Sequence, residues 1–271
     1  MKRSILAAFS IIVLLGLLSP ITVVKSYYDG YATTNYSAIT TPVTDGNWTT
    51  PTEWNDAAVP PNLPNTFHWR DKWTWPANII EHYVVEFFTD DTNDTGDYFQ
   101  YCCDRLADGG SAPKEDDIRI DYVGHSFSGL TVYQGNGTGW EEYTDFLWPD
   151  EINIVESISP SPLNSNPHWI IELTMDRTKF DVSGAGYSPW IRIAVYDASN
   201  DTAGAQAWPP TSPDVPDDWG LETGTTESIP EPLTIAAVVL LSSVAVIVSF
   251  YFLRKRPINE SRNSGKIGEI N

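Results

Sequence analysis

The sequence predicts an all-β protein: a single antiparallel β-sandwich of the jelly-roll or immunoglobulin-like kind, followed by one C-terminal transmembrane helix. Three observations favour this fold class. About eight to ten short segments alternate apolar and polar residues and are separated by glycine and proline. No stretch between the two ends of the chain shows a helical period. A long uncharged segment lies near the C-terminus.

The two ends of the chain predict export and anchoring. Residues 1–26 carry a basic start, an apolar run and small residues before a cleavage position, which is typical of a signal peptide. Residues 233–253 hold no charge and, at 1.5 Å per residue, span a hydrocarbon core of about 30 Å. Arg254, Lys255 and Arg256 follow, so residues 254–271 are predicted to be a cytoplasmic tail.

Between these ends, residues 27–207 are predicted to form the β-sandwich and residues 208–232 an extended stalk. The stalk is rich in Pro, Thr and Asp and has few apolar residues to bury. The predicted localisation is the cell membrane, with a single membrane pass and the sandwich outside. The formal net charge of −20 argues against nucleic-acid binding, which needs Lys and Arg.

The predicted strands follow one another along the sandwich. They lie at 67–75, 80–89, 98–103, 116–123, 130–133, 140–143, 152–158, 169–175 and 190–197. The second and third are predicted to form a hairpin around the acidic turn DDTNDTGD, and residues 134–138 to form another. Cys102 and Cys103 are adjacent on one strand and point to opposite faces, which favours two packed thiols over a vicinal disulfide.

The acidic turn predicts a calcium site, because oxygen side chains alternate around a glycine as they do at the start of an EF-hand loop. The predicted ligands are Asp91, Asn93, Thr95 and Asp97. The twelfth loop position is Cys102 and no helices flank the turn, so a true EF-hand is excluded. A solvated acidic turn without a metal is the alternative.

Five sequons predict a glycosylated outer surface. They are at Asn35, Asn47, Asn93, Asn136 and Asn200. A glycan on Asn93 would compete with metal ligation by the same side chain, so those two predictions conflict.

The surplus of tryptophan predicts a sugar-binding platform, because flat rings stack on the apolar faces of sugar rings. The chain has 11 Trp residues. Trp69, Trp73 and Trp169 alternate with inward residues and are predicted to be core. The predicted ligand-binding residues, at strand ends or in loops, are Trp75, Trp140, Trp148 and Trp208.

Asp45-Gly46 followed by Glu53-Trp54-Asn55-Asp56-Ala57 resembles the opening signature of family 9 carbohydrate-binding modules and the related DOMON-like domains. The segments VVEFFTDD, HWIIELTMD and IRIAVYDAS stand in the order of that fold. The resemblance implies a β-sandwich that binds a sugar or, in some relatives, haem. For haem, relatives pair Met with His or a similar residue, which implies Met175 with His125 as the alternative site.

A second resemblance covers the C-terminal segment. Pro230, Glu231 and Pro232, followed by the apolar span and the basic cluster, are similar to PEP-CTERM sorting tails. This implies a sortase-like processing enzyme, of the archaeosortase type in archaea, as a partner. A plain membrane anchor is the alternative.

Catalysis is not predicted. The paired carboxylates Glu141-Glu142 and Asp150-Glu151 are neighbours in sequence, whereas glycosidase carboxylates face each other across a cleft. The predicted function is therefore a cell-surface, non-catalytic carbohydrate-binding module stabilised by calcium, with a glycan or surface polysaccharide as partner. The alternatives are a haem-binding electron-transfer domain and a structural or adhesive surface glycoprotein.

Overall fold

The computed structural model describes residues 27–75, 79–178 and 188–225. The predicted signal peptide, the sorting motif Pro230-Glu231-Pro232 and the predicted span 233–253 lie outside the described residues. Within the described ranges, no helix has both the length and the apolar character needed to cross a membrane.

Nearly all of the regular secondary structure in the described chain is β-strand. They are β1 (Ala32–Ser37), β2 (Phe67–Thr74), β3 (Ile80–Phe87), β4 (Tyr98–Asp104), β5 (Asp117–Val123), β6 (Leu130–Gly135), β7 (Trp140–Glu142), β8 (Ile152–Ser159), β9 (His168–Asp176), β10 (Trp190–Tyr196), β11 (Gln206–Trp208) and β12 (Gly220–Gly224). One short helix, α1 (Pro51–Trp54), follows β1, and 3₁₀ turns lie at Phe127–Gly129, Ala198–Ala203 and Pro216–Asp218.

The strands form one continuous sheet in the order β7-β6-β5-β4-β10-β12-β1-β2-β3-β9-β8, with β11 also paired to β10. The sheet doubles back at β1, which pairs first with β12 (Ala32 opposite Leu221) and then with β2 (Ser37 opposite Trp73). We call β4–β7 and β10–β12 the front sheet, and β2, β3, β8 and β9 the back sheet. Both pairings of β1 are parallel, so the predicted sandwich is mixed rather than wholly antiparallel.

The space between the two sheets is filled by alternate residues of the strands, as their period of two predicts. Tyr83 on β3 and Tyr101 on β4 meet across it, with ring centroids 5.2 Å apart. Trp69 on β2 meets Trp208 on β11 in the same way, at 5.0 Å. In the strands predicted at 80–89, 116–123, 169–175 and 190–197, alternate residues belong to this core, which confirms that these segments are strands with an inward face.

The predicted hairpin of residues 80–89 and 98–103 is wrong. β3 pairs with β2 and β9, whereas β4 pairs with β5 and β10. The acidic segment between them therefore crosses from the back sheet to the front sheet. The crossing brings the apolar faces of β3 and β4 together across the core, whereas a hairpin would place them side by side in one sheet.

The outer face of the back sheet is also buried, which explains why β3 and β9 are apolar on both faces. Trp48 and Trp54, from the segment between β1 and β2, pack on Val84 and Ile170. Lys72 fixes this segment from below: its ammonium is fully buried, 2.7 Å from Asp56, and also donates to two backbone carbonyls. The Glu53–Ala57 signature residues thus form the cover of the back sheet.

Glu172 on β9 holds the start of that cover. Its Oε2 accepts hydrogen bonds from the backbone N–H groups of Asp45 and Gly46, each at 2.8 Å. Gly46 has a φ of +77°, and a side chain there would collide with the backbone of Glu156. Burial of Glu172, only partly offset by these two bonds, raises its pKa to about 7.

The predicted boundary between sandwich and stalk at residue 208 is also wrong. β12 lies in the middle of the sheet, between β10 and β1. Trp208 and Trp219 are fully buried, and buried Glu222 accepts a hydrogen bond from Tyr83 Oη at 2.8 Å. A few large side chains order this segment despite its low apolar content, so the folded unit includes residues up to Gly224.

The two cysteines are free thiols and both are buried, as the preferred prediction has it. Cys103 lies in the core between the sheets. Cys102 lies on the outer face of the front sheet, against Trp190 and Trp219. Burial raises the pKa of Cys102 to about 12, so it is not a reactive thiolate at neutral pH.

Replacement of Glu172 by Gln should remove a pH-dependent loss of stability. The pKa of Glu172 is about 7 in the folded protein, above the ordinary value of 4.5. The free energy of unfolding therefore falls as pH rises between these two values, because the folded state resists ionisation of this side chain, and the full loss is reached above the folded pKa. Urea unfolding should therefore show Glu172→Gln to be more stable than the parent at pH 8, by about 3 kcal/mol. The two chains should be equal at pH 4.

Glu141→Gln, the same substitution at an exposed position on β7, is the control. Its free energy of unfolding should differ from that of the parent by the same amount at pH 4 and pH 8. A stability difference between parent and Glu172→Gln that is the same at pH 4 and pH 8 would contradict the assignment.

Candidate functional site

The outer face of the front sheet carries polar and aromatic side chains in register. Alternate residues of β4, β5, β6 and β10 point into the core, so the intervening residues point outward. Strand pairing places Arg192, Cys102, Arg119 and Tyr133 opposite one another in one row across four strands. We call this surface, together with Trp140 on β7, the front face.

A network of hydrogen bonds holds the polar groups of the front face. Arg119 donates to both carboxylate oxygens of Asp121, at 2.9 and 2.5 Å. Gln100 donates to Asp121 Oδ1 at 2.9 Å, and Arg192 donates to Gln100 Oε1 at 2.6 Å. The side chains of Arg119 and Asp121 keep 22% and 15% of their surface in solvent, so a ligand can reach them.

Two aromatic rings lie beside this ion pair. The Arg119 guanidinium carbon is 5.0 Å from the ring centroid of Tyr133 and 5.9 Å from that of Trp140. Trp140 is partly exposed and lies parallel to buried Trp219, with centroids 6.4 Å apart. Its Nε1 donates to Asp214 at 3.0 Å. The indole is therefore held in place before any ligand arrives, which lowers the entropic cost of binding.

The hairpin that carries Trp140 was predicted from the sequence and is confirmed. β6 and β7 pair in antiparallel fashion around Asn136–Gly139. Asn136 Oδ1 accepts hydrogen bonds from the N–H groups of Thr138 and Gly139, both at 3.0 Å, and Gly137 has a φ of +86°. This turn fixes where Trp140 enters the front face.

The front face offers what a hydroxyl-rich ligand needs. A guanidinium donates to sugar oxygens, a carboxylate accepts from sugar hydroxyls, and ring faces cover C–H groups. Although burial acts in the opposite direction, the bond to Asp121 raises the pKa of Arg119, which therefore stays charged.

The four predicted platform tryptophans are not brought together. Trp140 belongs to the front face, but Trp208 is fully buried against Trp69 and cannot be an exposed platform. Trp148 is half-buried and packs on the core and Phe127. Trp75 is 66% exposed but follows β2, which stands seven strands from β7 in the sheet order.

Arg119, Asp121 and Tyr133 were missed as candidate residues although a signal was present. The alternation that places Ile118 and Ile120 inward requires Arg119 and Asp121 to point outward. The sequence does not show which neighbouring strands meet there, so it could not place Tyr133 beside them.

An acidic cluster, which we call the crossing cluster, lies where the chain passes between the sheets. Two overlapping groups share Asp97: one with Asp90 and His125, the other with Asp94 and Asp197, and within each the possible ligand atoms lie within 4.8 Å of one another. Asp90 is fully buried, and its Oδ2 accepts no hydrogen bond from any residue that the structure describes. Burial is the main cause that raises the pKa of Asp90 to about 6, and the negative charges of Asp97 and Asp197 raise it further.

The donor set of the crossing cluster fits a calcium ion, which prefers oxygen ligands. Asp90, Asp94, Asp97 and Asp197 supply carboxylates. His125 suits a metal less well, because its two ring nitrogens are already engaged by Asp97 at 2.9 Å and by another carboxylate.

Of the predicted calcium ligands, only Asp97 belongs to the crossing cluster. Asp91, Asn93 and Thr95 are exposed and lie in neither group. The spacing of an EF-hand loop does not apply, because the segment is a connection between two sheets. Asn93 is therefore available for a glycan without competing for the metal.

The implied haem pair does not come together. Met175 lies in the core near the C-terminal end of β9, whereas the ring of His125 is 4.4 Å from that of Trp169 at the other end. Six residues of strand separate the two positions by roughly 20 Å. Met175 and His125 therefore cannot be the axial ligands of one haem.

The sequons differ in access. Asn93, Asn136 and Asn200 are exposed and Asn47 is half-buried. Asn35 is fully buried, and its Nδ2 donates to Glu81 and Glu222, each at 3.1 Å. A glycan on Asn35 is incompatible with this packing, so that predicted site is wrong.

Comparison with known proteins gives distant structural likenesses only. No family model matches the chain, and no curated protein matches it. A family 9 carbohydrate-binding module from Caldicellulosiruptor kristjanssonii, in complex with cellotriose, is similar over 73% of this chain and 98% of its own, with 16% identity and a TM-score of 0.46. Its complex with glucose gives 15% identity over 73% and 99%, with a TM-score of 0.46.

A protein from Bacteroides uniformis described as carbohydrate-binding is similar over 70% of this chain and 98% of its own, with 10% identity and a TM-score of 0.43.

Proposed function

We propose that this protein is a non-catalytic, cell-surface domain that binds glycans on the front face. The observation that supports this function best is the solvent-reachable Arg119–Asp121 pair with Tyr133 and Trp140 beside it. These groups stand on adjacent strands of a rigid sheet, so the ligand meets a pre-formed surface.

The geometry favours a sugar over other ligand classes. Arg119 and Asp121 neutralise each other, so this solvent-reachable pair carries no net charge that would select an anion or a cation. The ring of Trp140 supplies apolar contact, and Asp121 accepts from hydroxyl groups. This combination of a stacking ring and a few oriented polar groups is typical of sites for small polar ligands.

Replacement of Trp140 by Ala should weaken glycan binding about fivefold or more, or ~1 kcal/mol, because a partly exposed anchor ring of the front face is lost. The measurement is titration of the purified chain with a glycan that it selects from an array. Circular dichroism should show an unchanged fold, since Trp140 is not in the core between the sheets.

Trp75→Ala is the matched control, because Trp75 is 66% exposed but lies outside the front face. It should bind as the parent does. If Trp140→Ala changes the glycan affinity no more than Trp75→Ala does, the site lies elsewhere. A chain that binds nothing on the array would indicate a structural or adhesive surface protein instead.

We further propose that calcium binds the crossing cluster and stabilises the fold. Asp94, Asp97 and Asp197, whose ligand oxygens lie within 4.8 Å of one another, would hold the ion, and Asp90 lies beside Asp97 in the overlapping group. When bound, the ion supplies positive charge to carboxylates that come from the crossing segment and from the end of β10. The buried, unbonded Oδ2 of Asp90 supports a ligand at this point.

Calcium should raise the melting temperature of the protein, by roughly 5–10 °C at a free concentration of 100 times Kd. Asp94→Asn should reduce this rise, measured between calcium and a chelator, because it removes a proposed ligand. Asp91→Asn, the same change three residues earlier in the same loop and outside the cluster, should keep the full rise. Identical rises for the two variants would argue against the site.

We also propose that residues 233–253 anchor the chain with the glycan-binding domain outside until a sortase-like enzyme cleaves it near Pro230–Pro232. The signal segment, the uncharged span and the basic residues after it support this arrangement.

Protease treatment of intact cells should degrade the domain of residues 27–225 and spare residues 257–271. An antibody against each part gives the measurement, and permeabilised cells serve as the control. A domain that survives while the tail is digested would reverse the topology. A mature protein that lacks residues after 232 by mass would support processing.

A further inference from the structure

The connection between β4 and β5 carries a second acidic cluster. Asp104 ends β4, and Asp116 and Asp117 stand at the start of β5. Each offers one carboxylate oxygen, and these oxygens lie within 4.8 Å of one another. Asp104 pairs directly with Asp117 across the two strands. The cluster is separated from Asp97 by the length of β4, roughly 20 Å.

Two oxygens of this cluster are buried without a hydrogen-bond partner. Asp117 is 1% exposed, and within the described ranges neither its Oδ1 nor Asp116 Oδ2 accepts a hydrogen bond. The neighbouring oxygens are oriented by the backbone: Asp117 Oδ2 accepts from Lys114 N–H and Asp104 Oδ2 from Gly109 N–H, both at 2.7 Å. Native proteins rarely leave such acceptors empty, so the unbonded oxygens point to a missing ligand.

The charges of the cluster favour a cation as that ligand. Asp104 is fully buried, and Asp117 nearly so. The carboxylates of Asp104, Asp116 and Asp117 lie within 4.8 Å of one another, so their negative charges repel one another. A divalent ion would relieve this repulsion, since it neutralises like charges that are held close together away from water.

We propose that Asp104, Asp116 and Asp117 form a calcium site that is separate from the crossing cluster. The donors are all oxygen atoms, which calcium prefers, whereas zinc is bound mainly by nitrogen and sulfur ligands. Calcium–oxygen distances of 2.3–2.6 Å allow ligand oxygens up to about 5 Å apart, which accommodates the observed separation.

The proposed calcium site lies in the β4–β5 connection, and this connection packs against the hairpin of the front face. Gly137, in the hairpin that carries Trp140, donates to the carbonyl oxygen of Pro113 at 2.7 Å. Gly110 donates to Asp217 Oδ1 at 2.9 Å, close to the buried Trp219. A cation at the cluster would therefore order the loop on which the hairpin rests. The metal site itself does not depend on glycan binding.

The test is the number of calcium ions bound by the purified full-length chain, measured by equilibrium dialysis. The parent should bind two tightly, and Asp117→Asn should bind one. Asp108→Asn is the matched control: it lies in the same connection, its side chain is 48% exposed, and it pairs with Lys114 outside the cluster. It should still bind two ions. Asp94→Asn, which alters only the crossing cluster, should bind one.

The dialysis result separates the two calcium proposals. If Asp94→Asn changes nothing but Asp117→Asn loses one ion, the second site stands and the crossing site fails. If Asp117→Asn binds as many ions as Asp108→Asn, the inference is overturned.

Asp116→Asn gives a second route if Asp117→Asn does not fold, because Asp116 is only half-buried. The probe is terbium in the Asp94→Asn chain. Trp190 pairs with Asp104 across two strands, so its indole should sensitise the emission of a terbium ion held there. Adding Asp116→Asn should abolish the emission, whereas adding Asp108→Asn should leave it unchanged. Emission that persists in the Asp116→Asn chain would also overturn the inference.

Discussion

The hydrogen bonds of Asp97 fix the segment between β3 and β4, in which the chain crosses from the back sheet to the front sheet. Asp97 is fully buried and accepts from the N–H of Ala198 and the N–H of Asp94, both at 2.7 Å, and from His125 Nε2 at 2.9 Å. His125 Nδ1 lies 2.6 Å from Glu156 on β8. One carboxylate thus connects the crossing segment, the end of β10 and the loop after β5 with the back sheet.

The crossing decides what each face of the sandwich can do. Because β3 goes to the back sheet, its outer face lies under Trp48 and Trp54, whose cover is fixed by the buried Lys72–Asp56 pair. A buried pair of this kind tolerates no loss of one partner, so the cover is a permanent part of the fold. The front sheet, by contrast, keeps the Arg119–Asp121 pair within reach of solvent, and binding is therefore expected there.

The tryptophans show how composition misleads about function. A surplus of these residues predicts a platform, yet most of them do structural work. Trp69, Trp169 and Trp208 fill the core, Trp48 and Trp54 cover the back sheet, and Trp190 and Trp219 cover part of the front sheet. Small sandwiches with polar strands need large side chains to bury enough area, which accounts for this use. Trp140 differs because it lies on an edge strand, partly in solvent.

The sequence by itself determined nine of the twelve strands that the structure describes, their alternation and the hairpin before Trp140, because alternation and turn residues are local properties. It missed β1, β11 and β12. It also indicated an acidic segment with Asp97 in it. Only the tertiary structure decided that β3 and β4 belong to different sheets, that β12 enters the centre of the sheet, and that Asp197 approaches Asp97. These outcomes depend on which distant apolar faces pack together, and no local pattern encodes that choice.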